Sequence, residues 1–347
     1  MEPRRSRCSL DRLALVLTGE AVTDGSHAAA TLLHDLRRRA WDGELLDALG
    51  VPSSMVPRLA ASHEAIGTLR PAIASRVGLP SATPVILGGA DSQACALGAG
   101  VLSPGPVSEM AGSSTCLNAV VAAPVAALEV THYPHVVGRD FTTETGINTT
   151  GSAVAWAADL LYGGRRSRAD SRDFARLDAD AATVAAGSDG LAFLPVLADG
   201  ERNDPELRGA LAGLSLRHGR AAIARAVLEG VAYAIRAQLE LLRDAGAPVD
   251  ELRVSGGDAR LATWNQIKAD VLGMPVLTIP GDAAVTGVAM LAGLGTGVYG
   301  DAAEAVRRCV HPADPVVPDP GARLAHAQGY ERYRELVGSA AVRREEA

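Results

Sequence analysis

The chain predicts an α/β protein, and three observations carry that expectation. Short apolar runs alternate with helical patterns along the 347 residues, glycine-rich turns stand where runs hand over to helices, and the hydrophobic content of 48% suits a layered globular core. Strand-like runs fall at 84–87, 107–110, 117–121, 191–195, 252–254 and 275–278. Helical patterns fall at 42–49, 151–161, 221–243, 263–272, 286–294 and 321–336. The segment 163–180 is charged and poor in apolar residues, which predicts a surface loop with a short helix. The length allows two domains with ample core.

The run Pro84–Leu87 reads as a buried strand and leads into GGADSQACALGAG, Gly88–Gly100. Asp91 therefore stands at a strand end beside glycines that let another molecule approach closely. A carboxylate there can act as general base towards a hydroxyl; a structural Gly-Gly turn is the competing reading. In Gly105–Val120 two strands flank Gly112-Ser113-Ser114-Thr115, a tight turn that offers N–H groups and small hydroxyls to an anion. An ordinary hairpin is the alternative there. Further on come GLAFLPVLADGER (Gly190–Arg202), RGALAGL (Arg208–Leu214) and a long helix from about Arg220 to Arg243. Glu251–Pro275 then reads as a strand, a Gly-Gly turn and a helix, with Asp258 and Ala259 at the helix entry.

Composition narrows the function classes. A formal net charge of −7 argues against nucleic acid, and the basic residues form no helical stripe. No apolar run is long enough for a membrane span. The opening MEPRRSRCSL is basic without an apolar stretch behind it, so it does not read as a signal peptide. The cysteines, Cys8, Cys95, Cys116 and Cys309, form no CxxC pair and show no metal spacing. Cys95 and Cys116 read as small core residues, and a reduced, cytoplasmic setting fits best. His132 and His135 in THYPHVV could be imagined as metal ligands, but an exposed loop is the better reading. Lys268, the only lysine, is expected at a solvent-facing helix position, and Trp264 in the core.

In its order of motifs the chain resembles the FGGY family of carbohydrate kinases. The resemblance runs from LTGEAVTD (Leu17–Asp24) through RAWDGELLDALGVP (Arg39–Pro52), GLPSATPVILGGAD (Gly78–Asp91), the GSST turn, GLAFLPVLADGER and LEGVAYAIR (Leu228–Arg236). It continues through SGGDAR and ADVLGMPV to GYERYREL (Gly329–Leu336). It implies an actin-like ATPase (ribonuclease-H-like) fold with a complete C-terminal lobe and the tail of the N-terminal lobe. The N-terminal remnant would span 1–101, the nucleotide-binding lobe 102–338 and a tail 339–347. The implied activity is ATP-dependent phosphorylation of a sugar or polyol hydroxyl, with ATP and Mg²⁺ as cofactors, a small-molecule substrate and a homodimer as candidate assembly.

Residue by residue, Asp91 matches the family's catalytic aspartate. Gly112, Ser113 and Ser114 match its phosphate-binding hairpin, and Gly256, Gly257 and Asp258 match the turn that lies against adenosine. No metal ligand is assigned. Thr115 replaces a glycine and would be strained if the position required a positive φ. Ala284 replaces the family's acidic residue, and Ala289 stands where a glycine is usual. The GGAD segment and the GER…RG pairing look closest to xylulokinase-like members, with autoinducer-2 kinase-like, gluconate kinase-like and ribulokinase-like members open. The chain contains no Asp-x-Gly-Thr phosphate loop ahead of LTGE, so the resemblance implies a fragment that lacks the first part of the N-terminal lobe, with activity impaired and exposed sheet edges. The alternative reading is a non-catalytic nucleotide-binding fragment or truncated pseudo-kinase.

Overall fold

The computed structural model describes residues 9–163, 171–198, 200–202 and 204–342. Cys8, the basic opening residues, residues 164–170 of the 163–180 segment and the last residues of the expected tail lie outside this set. The chain divides into two compact units: residues 1–104, 118–144 and 282–311 form unit 1, and 105–117, 145–281 and 312–347 form unit 2. The fold class is α/β, as expected.

In unit 1 the strand Val22–Asp24 pairs in parallel with Arg58–Ala60, and Ala65–Thr68 pairs antiparallel with Pro84–Ile86. Their apolar faces meet: Ala14, Val22, Ile66 and Leu87 form a buried cluster, with Leu10, Ala60 and Val85 packed against it. Leu87 thus ends the apolar run inside the core, and the chain turns at Gly88, whose φ of +82° only glycine adopts freely. The helix Asp91–Gly98 starts at once. It packs on the helix Ala283–Gly295 through glycines: a Cβ on Gly98 would lie 1.8 Å from the Ala283 carbonyl oxygen, and one on Gly287 1.8 Å from that of Ala94. The close approach therefore uses Gly287, while Ala289 is exposed and tolerates its methyl. Gly98→Ala is expected to cost about 1–3 kcal/mol by forcing the helices apart. A thermal melt of the variant checks this.

Strands Thr131–Pro134 and Phe141–Ile147 pair antiparallel through Phe141–Glu144. Here the structure corrects the reading of His132 and His135, which are only 8% and 6% exposed. His135 donates from Nε2 to the Val101 carbonyl at 3.0 Å and accepts from the Val137 N–H at 3.1 Å. Burial lowers the pKa of both imidazoles. The polar look of THYPHVV misled because both rings are buried, with the backbone satisfying both nitrogens of His135 and, through the Val125 N–H, Nε2 of His132.

In unit 2 the strand Val249–Gly256 lies between Gly105–Ala111 and Val276–Thr278, parallel to both. The hairpin partner Thr115–Val121 begins in unit 2 and continues into unit 1. The helix Arg220–Asp244, 25 residues long, buries most of its central turns. Gly230 lets it approach the strand Ala192–Leu194, since a Cβ there would lie 2.3 Å from the Phe193 carbonyl oxygen. The helix expected within 163–180 is present and is longer than expected, Ser171–Ala182, with Asp173, Leu177 and Ala181 buried. Its i, i+4, i+8 stripe was hidden by the charge around it. Cys95 is buried as expected, whereas Cys116 is partly exposed.

Candidate active site

Asp91 is the first residue of its helix, a position where the N-terminal end of the helix favours a negative side chain. It is exposed, and its Oδ1 accepts the Ser92 N–H at 2.8 Å. Behind it the first turn is anchored by buried polar side chains. The Ser92 hydroxyl donates to Glu144 Oε2 at 2.6 Å. Gln93 Nε2 donates to Asn118 Oδ1 at 2.7 Å, and the Thr142 hydroxyl donates to Gln93 Oε1. These buried hydrogen bonds tie the helix start to neighbouring strands, with Asn118 Nδ2 the one amide group of the set that finds no partner among the described residues. The accessible carboxylate therefore stands on an anchored helix start.

The other candidates belong to unit 2. Gly256 is the register partner of Ala111 across the parallel pair, so the Gly112–Ser114 turn and the Gly256–Gly257 turn leave neighbouring strands at the same end. A Cβ on Gly256 would lie 2.0 Å from the Ala111 carbonyl oxygen, and its φ is +102°. Glycine is required there by the strand pairing itself. Gly257 is exposed and has nothing within 4 Å of a Cβ position, which leaves an open face above the turn. Asp258 opens the short helix Asp258–Arg260.

In the hairpin turn, Gly112, Ser113 and Ser114 are exposed. The Ser113 carbonyl accepts the Thr150 N–H at 3.2 Å, the Ser152 N–H at 3.1 Å and the Ser152 hydroxyl at 2.8 Å. That ties the turn to the start of the helix Gly151–Tyr162 and leaves the two serine hydroxyls outward. Exposed hydroxyls beside an open glycine face fit a phosphorylated nucleotide. Thr115 is fully buried, bonds the Thr150 hydroxyl at 2.8 Å, and is not among the residues of positive φ. The strain considered for it does not arise. Among the described residues no group of three or more His, Cys, Asp or Glu is placed to hold a metal ion. These residues alone do not make a Mg²⁺ site, and no step is routed through one.

The structure reverses the expectation for Lys268. The side chain is 0% exposed, and its Nζ sits 2.8 and 3.0 Å from the Oε atoms of Glu109, also 0% exposed. The Trp264 ring, buried as expected, lies 4.5 Å from the ammonium. The Ser255 hydroxyl donates to the Glu109 carbonyl at 3.2 Å, so the pair is wired to the strand that carries the Gly256 turn. Sequence reasoning also missed Gln93, Asn118, Thr142 and Glu144, whose partners are distant along the chain.

Comparison with known proteins follows this geometry. A family model for the FGGY carbohydrate kinases, C-terminal domain, matches residues 108–296, and the model for their N-terminal domain matches residues 8–98. The chain is 29% identical over 339 residues to the xylulose kinase of Bacillus subtilis (strain 168), covering 94% of this chain and 64% of the relative. It is 36% identical over 301 residues to the glycerol kinase of Gloeobacter violaceus, covering 84% of this chain and 58% of the relative. It thus spans less than two thirds of these curated relatives. The crystal structure of xylulose kinase from Rhodospirillum rubrum superposes with a TM-score of 0.86 at 32% identity, covering 97% of this chain and 68% of that one. Among the described residues no helix is long and apolar enough to cross a membrane.

Proposed function

The chain belongs to the FGGY family of carbohydrate kinases, and from that premise we propose that it takes part in transferring the γ-phosphoryl group of ATP to a hydroxyl of a sugar or polyol. The observation that carries this reading is Asp91, an exposed carboxylate on a helix start held by buried polar anchors. In this role Asp91 accepts the proton of the attacking hydroxyl. Phosphoryl transfer asks the protein for positioning and charge stabilisation rather than covalent chemistry, and a fixed carboxylate meets that need. ATP supplies the phosphoryl group. Ser113 and Ser114 offer hydroxyls and backbone N–H groups to its phosphates, and Gly256 and Gly257, followed by Asp258, offer a flat face to its adenosine. The family's lobes are read at 1–101 and 102–338, with a xylulose-type substrate and a cytoplasmic, homodimeric protein as the finer proposals.

The test is ADP release from Mg-ATP with D-xylulose and, separately, glycerol as acceptor. Turnover with either acceptor, dependent on that acceptor, is the expected result. ATP binding without acceptor-dependent ADP release would favour the non-catalytic nucleotide-binding reading instead.

A further inference from the structure

We propose that Ser26, held by the buried Asp24 carboxylate, is a positioning residue that fixes the backbone immediately before Asp91. The proposal rests on the reading of Asp91 as the base. Asp24 ends its strand, is 0% exposed, and accepts hydrogen bonds on both oxygens. Oδ2 takes the Ser26 N–H at 3.0 Å, the Ser26 hydroxyl at 2.6 Å and the Ser62 hydroxyl at 2.9 Å. Oδ1 takes the His27 N–H at 3.1 Å and His27 Nδ1 at 2.7 Å. Burial alone would raise this carboxyl's pKa; the hydrogen bonds from His27 and Ser26 outweigh it and hold the group below its ordinary range. The carboxylate is therefore ionised at neutral pH and can only accept.

That fixes the direction of the chain of hydrogen bonds. The single proton of the Ser26 hydroxyl is committed to Asp24, so its oxygen is left to accept, and it accepts the Ala90 N–H at 2.9 Å. Ser62 adds a second tie: its hydroxyl is on Asp24 and its carbonyl accepts the Gly88 N–H at 2.8 Å. Between these two ties Gly89 has no slack. A Cβ there would lie 2.7 Å from Val136 Cγ1 and 3.3 Å from both Asp24 Oδ2 and Ser26 Oγ. A helix cap needs only the two backbone N–H contacts to Asp24. The serine hydroxyls go further and clamp residues 88–90, whose next residue is Asp91. One side of the clamp faces a cavity of about 400 Å³ lined by Asp24, Ser26, Ser62, His34, Arg39 and His135, and not by Asp91. That cavity gives solvent a route to the clamp.

The experiment compares Ser26→Ala and Ser26→Thr in the full chain. Hydrogen–deuterium exchange reads the Ala90 amide, and steady-state kinetics with Mg-ATP and D-xylulose or glycerol reads kcat and KM. Ser26→Ala is expected to speed Ala90 exchange about tenfold, confined to residues near 88–92. It should also lower kcat about tenfold to a hundredfold with KM for ATP unchanged. Ser26→Thr should restore both. Unchanged Ala90 exchange in Ser26→Ala, a rise spread over the whole chain, or failure of threonine to restore it would overturn the proposal. If the parent chain turns over neither acceptor, the kinase reading fails, and the exchange result still decides whether Ser26 holds this loop.

Discussion

Replacing Asp91 by asparagine is expected to lower acceptor-dependent ADP release by about 10²–10⁴-fold, the usual range for loss of a positioned general base. Asparagine keeps an oxygen that can accept the Ser92 N–H, and it leaves the Ser92–Glu144 and Gln93–Asn118 anchors untouched. The helix start should therefore hold its geometry, and the loss should fall on kcat. ATP affinity, measured by titration of the variant, should stay as in the parent, because the groups proposed to hold the nucleotide are Gly112, Ser113, Ser114, Gly256 and Gly257. Turnover that survives within a few-fold would remove Asp91 from the role of base. Weaker ATP binding with unchanged kcat would instead move Asp91 into nucleotide binding.

A second large effect is expected at the buried ion pair. Lys268→Met should destabilise the protein by about 3–5 kcal/mol, because it removes the ammonium that sits on both oxygens of the buried Glu109 carboxylate. The pair itself is a different matter. Two charges taken from water are costly to desolvate, and well-packed apolar side chains of similar volume often serve as well. The double variant Lys268→Met, Glu109→Leu should therefore recover most of the loss. Chemical denaturation of the two singles and the double forms the cycle that separates these cases. A double variant as unstable as Lys268→Met alone would show that the ion pair, and not the burial of a carboxylate stripped of its ammonium, holds the strand beneath the Gly256 turn.

Much of the architecture was legible because it depends on neighbours in the chain. The apolar run at 84–87 and the glycines after it placed Asp91 just past a strand end, while the helix that it begins was seen only in the structure. The alternation around Gly112 and the Gly-Gly step at 256–257 marked two turns. That they leave adjacent parallel strands at one end came from the register of Gly256 with Ala111. Asp24 carried a local signal that went unread: an aspartate directly before Gly-Ser-His and a run of alanines is a helix-start pattern.

By itself, then, the sequence determined the α/β class, the order of motifs that shows the family, and the chain positions of Asp91, the hairpin turn and the Gly-Gly turn. These follow from periodicity and turn chemistry, which act over a few residues. Only the tertiary structure decided which polar side chains are buried. Lys268 reads as a surface residue until Glu109, 159 positions away, meets it in the interior. His132 and His135 read as loop residues until their burial is seen, with the Val101 carbonyl as partner to His135. Ser26 carries no long-range signal in the sequence, and only the fold brings the Ala90 N–H, 64 positions on, to its hydroxyl. The physical reason is the same each time: burying a charge or a hydroxyl is acceptable only when a partner is brought to it, and folding alone brings a distant partner there.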